Sequence, residues 1–286
     1  MLPTGAPPDW TSVEIATPRP SLRLPGISMA GFRACAPSPV DIAMVAHPCL
    51  TLLFDLGGSA GEGLVHEARE WHGRGSIAVG LLPGELRLGG RVGECLQIRV
   101  DPVVAAAAFG AAAELGGTVA SFEDVWGRGA GRAEGRLRAA GSWDERFTIA
   151  VDLLGRRLDA RPGADPEVAE AWRRTRGRRG LVRVDGLADE LGWSRKRLSA
   201  RFRSQLGIAP KRAARLVRFD HAVHLLAAGR DVARVAAESG YVDQPHLHRE
   251  VKAFTGLTPT AAALAPWLAI DDIAWPPPPR DSVAGV

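Results

Sequence analysis

The sequence has few cysteines and lacks a long apolar segment. Its 286 residues include only three cysteines, Cys35, Cys49 and Cys95, an odd number at wide spacing. This pattern argues against a disulfide framework and against a thiolate metal cluster, and favours small buried apolar side chains. No apolar run reaches the roughly 18 residues of a membrane-spanning helix, and the N-terminus lacks the basic-then-apolar pattern of a signal peptide. We therefore expect a cytoplasmic protein with no membrane partner.

The charge is divided unevenly along the chain. Residues 1–172 contain 16 basic and 21 acidic residues, a net charge of −5, whereas residues 173–286 contain 20 basic and 11 acidic residues, a net charge of +9. Nearly all the basic residues are arginine, whose planar guanidinium forms paired hydrogen bonds with phosphate. The basic half therefore indicates a phosphate-bearing partner.

This basic half contains the same pattern of about 25 residues twice. The first copy, from Leu187, reads L-A-D-E-L-G-W-S-R-K-R-L-S-A-R-F-R-S-Q-L-G-I-A-P, and the second, from Val235, reads V-A-A-E-S-G-Y-V-D-Q-P-H-L-H-R-E-V-K-A-F-T-G-L-T-P. Up to the central glycine, matching residues lie 48 positions apart, and after the turn they lie 49 apart. The second copy therefore has one additional residue in its turn.

Each copy has the residues that begin and end two helices joined by a tight turn. In the first copy, Gly192 supplies the positive φ that ends a short helix, and Ser194 caps a longer helix that ends near Gly207. In the second copy, Gly240 and Asp243 occupy the equivalent positions, with Asp231 capping the short helix and Gly256 ending the long one. The pattern predicts two helix-turn-helix units.

A single helix is predicted between the two units. It begins at Pro210, meets no helix-breaking residue before Ala228, and is followed by Gly229. Nineteen helical residues span roughly 28 Å, close to the roughly 34 Å between successive major-groove faces of B-DNA. This rod could place two reading helices in neighbouring grooves.

Residues from about Val182 to Ala265 resemble the double helix-turn-helix domain of the arabinose-regulator (AraC) family of bacterial transcription factors. The run from Gly240 to Pro259 is similar to that family's signature. The resemblance covers about a third of the chain. It implies a sequence-specific transcription regulator that binds a double-stranded DNA operator. Further partners implied are RNA polymerase for an activator, a small-molecule effector and a second copy of the chain.

Helix geometry indicates which side chains reach DNA, because Leu198 and Phe202 define the buried side of the first reading helix and Leu247 and Val251 that of the second. The predicted DNA contacts are Arg195, Lys196, Arg197, Ser199 and Arg203 in the first unit, and Gln244, His246, His248, Arg249 and Lys252 in the second.

The two reading helices are not equivalent. Arg249 stands at the family's usual arginine position, and its counterpart in the first unit is Ala200. We therefore expect the second unit to supply more base discrimination and the first more phosphate affinity. The chain also has Val251, and Ala261 to Ala263, where the family commonly has aromatic residues. Both departures change packing.

The N-terminal half has the pattern of short strands and turns that is typical of a small antiparallel sheet or barrel. Strand-like runs are separated by glycine-rich and proline-glycine turns, and after Pro102 the periodicity becomes helical. The predicted strands are Gly31 to Ala36, Leu50 to Leu56, Ser76 to Leu82 and Glu94 to Val100. The arrangement resembles the cupin-like sensing domains that precede this DNA-binding module.

The predicted fold class is α+β, with an antiparallel β (cupin-like) domain and helical extension followed by an all-α domain. Four segments follow: a flexible arm at 1–25, a sensing or dimerisation domain at 26–165, the DNA-binding domain at 166–268 and a proline-rich tail at 269–286.

A ligand pocket is predicted around Glu70, Trp71, His72 and Cys95. No enzyme, cofactor or metal is expected. His47, His66 and His72 lack the His-x-His spacing of a metal-dependent cupin, and His221 with His224 offers only two ligands of the three or four that zinc takes.

Two other functions are compatible with this reading. One is a DNA-modifying or repair enzyme fused to the DNA-binding module, which would need a clustered set of cysteines. The other is a low-specificity nucleoid-type binder, which would bind many duplexes alike and depend mainly on phosphate contacts.

Overall fold

The computed structural model describes residues 10–35, 39–57, 65–68, 71–81, 86–91, 93–110 and 117–275. In this part of the chain, an N-terminal antiparallel β domain with a helical layer is followed by a helical C-terminal domain. The α+β fold class predicted from the sequence is therefore confirmed.

The strands form two antiparallel sheets. One has six strands in the order β1-β2-β9-β4-β7-β10, and the other has four in the order β3-β8-β5-β6. The strands are β1 Val13–Ala16, β2 Ile27–Ala34, β3 Pro39–Met44, β4 Leu50–Asp55, β5 Val65–Ala68, β6 Trp71–Arg74, β7 Ile77–Val79, β8 Leu86–Arg91, β9 Glu94–Val100 and β10 Val119–Ser121.

Strand β9 shows how the larger sheet divides its two faces. Side chains alternate along a strand, so residues two apart share a face. Leu96, Ile98 and Val100 are buried against the helical layer of the N-terminal domain. The intervening Cys95, Gln97 and Arg99 point to the opposite face, where they line a cavity. One strand therefore supplies both the hydrophobic core and a wall of the cavity.

The helices fall into three groups. Four cover the sheet, seven build the C-terminal domain, and two short ones end the described chain. The first group is α1 Pro102–Phe109, α2 Phe122–Trp126, α3 Ala130–Ala139 and α4 Trp143–Asp159. The second is α5 Pro166–Gly177, α6 Val184–Glu190, α7 Arg195–Leu206, α8 Pro210–Ala227, α9 Val232–Glu238, α10 Gln244–Thr255 and α11 Pro259–Ala263. The third is α12 Pro266–Ala269 and α13 Asp271–Ala274.

The C-terminal domain is built around α8. Its buried Leu216, Phe219 and Val223 belong to one hydrophobic cluster with Phe202 of α7 and Leu247 of α10. Both helix-turn-helix units therefore pack on the same connecting helix.

Within the described residues, no single helix is long and apolar enough to cross a membrane, although α10 with the bent segment Pro259–Ala274 passes that test as a pair.

The sequence-based expectation of a flexible arm is wrong for residues 10–25. Val13–Ala16 pairs with β2 as an edge strand, with Val13 opposite Ala34 and Ala16 opposite Gly31. Trp10 and Ile15 pack beside Phe32 on that sheet. Proline content suggested a loose arm, but the open edge of β2 provides hydrogen-bond partners for this segment. Strand β10 was also not among the strands predicted from the sequence.

The proline-rich tail also begins later than expected. Residues Pro266–Trp275, here called the strap, contain α12 and α13, and α12 spans the predicted domain boundary at 268. Ile270 and Ala274 are buried against Ala30 of β2, and the Trp10 indole donates to the Pro266 carbonyl at 2.7 Å. The strap therefore runs from the helical domain back onto the β domain. Residues 276–286 lie outside the described part of the chain.

Candidate nucleic-acid interface and interdomain cavity

The predicted helix boundaries of the two units are confirmed. Ser194 Oγ accepts from the backbone N–H of Arg197 at 3.2 Å at the start of α7. Asp243 Oδ1 accepts from the backbone N–H of His246 at 2.7 Å at the start of α10. Gly192 and Gly240 have positive φ values of 66° and 69°, as the tight turns require. Both reading helices are therefore fixed at the turn by a side-chain cap and a left-handed glycine.

The predicted contact residues lie on the solvent side of both helices. Leu198 and Phe202 of α7, and Leu247 and Val251 of α10, are buried as expected. Eight of the ten candidates are exposed, and Ser199 and His246 are half-buried. The exposed candidates are Arg195, Lys196, Arg197, Arg203, Gln244, His248, Arg249 and Lys252. His246 packs edge-on against Tyr241, with ring centroids 5.2 Å apart.

Several cations of the first unit already have intramolecular partners. Arg201 forms a two-pronged pair with Asp165, at 2.7 and 2.8 Å, which ties α7 to the start of α5. Arg195 lies 3.3 Å from Asp185, and the Arg197 guanidinium lies 4.3 Å from the centre of the Trp193 ring. Within the described part of the chain, Lys196 and Arg203 form no ion pair. These two are the cations of α7 most available to an external phosphate.

On the second unit, the outward arginine is held by its own helix. Arg249 is exposed, and its Nε donates to the Pro245 carbonyl at 3.3 Å, a bond that does not use the two terminal nitrogens of the guanidinium. Among the described residues, neither Arg249 nor Lys252 pairs with a carboxylate. Arg249 therefore keeps the donor pair that recognises guanine or phosphate.

A buried carboxylate that the sequence analysis missed links the second reading helix to α8. Glu250 is 5% exposed and accepts from Arg215 and Arg218, each at 2.9 Å, and from the Tyr241 hydroxyl at 3.1 Å. Burial alone raises a carboxyl pKa, but the hydrogen bonds and charges of Arg218 and Arg215 outweigh it and lower the pKa of Glu250. The sequence could have revealed this group, because Glu250 lies next to Val251 on the buried side of the helix. A buried carboxylate requires hydrogen-bond partners.

A close backbone approach also fixes α8 against the segment before α6. Gly180 has φ +75°, and a Cβ placed there would lie 2.2 Å from the Ala214 carbonyl oxygen of α8. A side chain at this position would therefore displace α8 from that segment.

A cavity of about 170 Å³ lies between the two domains. Its apolar walls include Phe32 and Leu53 of the β domain, Phe219 and Val223 of α8, and Trp267 and Trp275 of the strap. Because α8 also carries both helix-turn-helix units, anything bound in the cavity would touch the connecting helix directly.

One end of the cavity is polar, and its groups come from three parts of the fold. Arg99 of β9 donates to Asp271 of the strap at 3.2 Å, and its guanidinium stacks on Trp275 at 4.0 Å from the ring centre. His224 of α8 lies 2.7 Å from Asp271. His47, after β3, lies 3.6 Å from Asp220 of α8. The polar end therefore joins both domains and the strap.

The titration of these groups reflects their surroundings. The hydrogen bond to Asp271 raises the pKa of His224 to about 9. Burial raises the pKa of Asp220 to about 6 and lowers the pKa of His47 well below its usual value. Near neutral pH, His224 is therefore protonated, His47 is neutral and Asp220 is largely ionised.

Of the four residues predicted to form a ligand pocket, the structure places only Cys95 at this cavity. Burial raises the pKa of its thiol, so it is an inert wall group. Glu70 lies outside the described residues. Trp71 and His72 belong to β6, but their side chains also lie outside what the structure describes. Sequence reasoning missed His47, Arg99, Asp220 and Asp271 as a group, because no local pattern connects positions so far apart.

Among the described residues, no group of three or more His, Cys, Asp or Glu side chains is placed to hold a metal ion. His221 lies 3.4 Å from Arg179, whereas His224 turns toward Asp271.

Comparison with known proteins identifies the C-terminal domain. Residues 187–263 match the family model of the helix-turn-helix domain. The chain therefore contains a helix-turn-helix DNA-binding domain, as its duplicated capped units indicated. The match lies within the region whose sequence resembles the AraC-type double helix-turn-helix domain. No curated protein matches the chain.

Solved structures with similar folds include three bacterial regulators. ToxT from Vibrio cholerae O395 is 11% identical over 84% of this chain and 98% of its own, with a TM-score of 0.47. The C-terminal domain of AraT, a response regulator from Geobacillus stearothermophilus, is 21% identical over 35% and 85%, with a TM-score of 0.34. A regulator from Chromobacterium violaceum with an AraC-type DNA-binding domain is 22% identical over 35% and 90%, with a TM-score of 0.33.

Proposed function

We propose that this transcription regulator binds a duplex operator with α7 and α10 in successive major grooves, and that a small molecule in the interdomain cavity alters how it binds. The observation that carries the proposal is the pair of capped, outward-facing basic helices on one connecting helix. Helix α8 has 18 residues, which span roughly 27 Å at the usual rise. This length suits two reading helices on one side of B-DNA. A cytoplasmic location follows from the same function.

The two units differ in their role. Arg249 directs two unpaired donors outward from α10 and discriminates bases, whereas Lys196 and Arg203 of α7 hold phosphate. Gln244, His246 and His248 add polar contacts from the second unit, and Arg195, Arg197 and Ser199 from the first. This division predicts unequal discrimination across the operator, because phosphate contacts carry little sequence information.

The cavity is the proposed sensing site. Its walls come from both domains and from α8 itself, so an occupant changes the surroundings of the helix that spaces the two readers. An effector shifts the regulator only if it binds two conformations with different affinities. The charged contacts at the polar end, which join α8, β9 and the strap, offer such a difference.

Selection of bound fragments from random duplex DNA by the full chain tests the DNA-binding proposal. We expect a selected site with two informative segments about 10 base pairs apart, and more information in the segment read by α10. A symmetric repeat of that site would indicate binding as a homodimer. Uniform recovery of all sequences, with only a salt-dependent affinity, would instead identify a nucleoid-type binder.

A further inference from the structure

Asp220 is an acceptor without a hydrogen bond at the polar end of the cavity. Its side chain is 24% accessible, and the residue lines the cavity from the middle of α8. The basic side-chain nitrogens within 4.0 Å of its carboxylate are His47 Nε2 at 3.6 Å and His224 Nδ1 at 4.0 Å. His224 Nδ1 bonds to the Asp220 backbone carbonyl at 2.6 Å and not to the carboxylate. Among the described residues, no donor satisfies either carboxylate oxygen.

The other charges at this end already have partners. Arg99 donates to Asp271 and stacks on Trp275, and His224 is held by the same Asp271 carboxylate. Two positive groups, Arg99 and His224, therefore stand beside two negative ones, Asp220 and Asp271. An added anion would be repelled by Asp220, and an added cation would be repelled by Arg99 and His224. The balance favours an uncharged occupant.

We propose that the cavity binds an uncharged, mainly apolar molecule about the size of one substituted ring, whose single O–H or N–H group donates a hydrogen bond to Asp220. This inference deepens the proposed sensing function and rests on it. The size follows from the volume of about 170 Å³, since an apolar cavity of about 150 Å³ in another protein accommodates benzene.

The hydrogen bond explains why such a molecule is preferred over a hydrocarbon of the same shape. A purely apolar occupant would cover Asp220 and leave its carboxylate unsatisfied, which is costly in a dry site. A donor converts that cost into a bond to a charged acceptor, one of the stronger kinds of hydrogen bond. The apolar walls, including Phe32, Leu53 and Val223, supply the rest of the affinity.

Three probes of matched shape test the proposal on the full chain: 4-propylphenol, propylbenzene and 4-propylbenzoate. Affinities measured by isothermal titration at neutral pH should rank the phenol first, at least tenfold tighter than propylbenzene. The benzoate should bind most weakly. Asp220→Ala should remove the preference of phenol over propylbenzene, and Asp220→Asn, which keeps an uncharged acceptor, should retain part of it.

Two controls connect the result to this cavity. Ala34→Leu adds bulk to the wall and should weaken both the phenol and the hydrocarbon without changing their ratio. Asp152→Ala removes a half-buried carboxylate on α4 that does not line the cavity, and it should leave all three affinities unchanged. A melting transition recorded for each variant verifies folding, and the ranking in the parent chain tests the proposal even where a variant does not fold.

The outcomes separate this inference from the proposed function. Tighter binding of the benzoate, or equal binding of the phenol and propylbenzene, overturns the inference, as does the absence of binding by all three probes. If the chain still selects a specific DNA sequence in those cases, the DNA-binding proposal stands. If the chain shows no sequence preference, the proposed function fails whatever the probes do.

Discussion

The imidazole Nε2 of His224 lies 2.7 Å from a carboxylate oxygen of Asp271, which joins the connecting helix to the strap. Asp271 also accepts from Arg99 at 3.2 Å. One carboxylate therefore links α8, the strap and the sheet of the N-terminal domain. Since both reading helices pack on α8, this contact connects the strap and the polar end of the cavity to the DNA-binding units.

The contribution of the His224–Asp271 contact to the free energy of unfolding should decrease as the pH rises into the alkaline range. The pKa of His224 is raised to about 9, so its contribution is fully present below the unfolded pKa of about 6.5 and disappears as pH rises through the folded pKa. His224→Gln should therefore lose on the order of 1 kcal/mol near pH 6 and nothing near pH 10, since the imidazole is 41% accessible and solvent screens part of the interaction.

Urea unfolding of the parent and His224→Gln at several pH values measures this difference. Groups that titrate equally in both chains, such as the buried thiol of Cys95, cancel in the difference between them. His221→Gln is the matched control on the same helix, because His221 faces Arg179 and has a lowered pKa caused chiefly by burial. A parent-to-variant difference that stays constant from pH 6 to 10 would contradict the assignment.

The sequence predicted the two reading helices closely because their determinants are local. Ser194, Gly207, Asp243 and Gly256 lie within a few residues of the boundaries they determine. The cavity was not predicted in this way. Arg99 and Asp271 are 172 positions apart, and only the tertiary fold brings them together. The edge strand Val13–Ala16 was missed for the same reason, since its partner lies on β2.

Loss of the Glu250 carboxylate should destabilise the helical domain strongly. Glu250→Ala leaves Arg218, which is 17% exposed, without its carboxylate partner, and removing one member of a buried pair costs about 3 kcal/mol. Glu238→Ala is the matched control, because its pair with Arg234 is exposed and should contribute less than about 1 kcal/mol. Urea unfolding compares the two variants, and equal losses would show that the pair of Glu250 and Arg218 contributes no more than an exposed pair.

Removal of the Trp275 ring should release the strap. Trp275→Ala loses the stacking on Arg99 and a wall of the cavity, and we expect a loss of about 1 to 2 kcal/mol. Hydrogen exchange of the peptide covering Pro266–Trp275 should become faster. Ile273→Ala is the control in the same strap, because Ile273 is 58% exposed and should change stability by about 0.5 kcal/mol or less. Unchanged exchange in Trp275→Ala would mean that other contacts hold the strap.

DNA binding should separate the roles of Arg249 and Arg203. Arg249→Ala removes the outward donors of α10 and should cost about 1 to 3 kcal/mol on the selected site while relaxing preference at one base position. Arg203→Ala should weaken selected and random duplexes equally and lower the slope of log affinity against log salt by about 0.9, the value for one lost phosphate contact.

Arg156→Ala, which removes an exposed cation on α4 paired with Asp152, controls for the change in net charge. Fluorescence anisotropy at several salt concentrations measures all three, on the selected site and on a scrambled duplex. If Arg249→Ala weakened both duplexes to the same extent, Arg249 would be a phosphate contact, and the expected inequality between the two reading helices would be wrong.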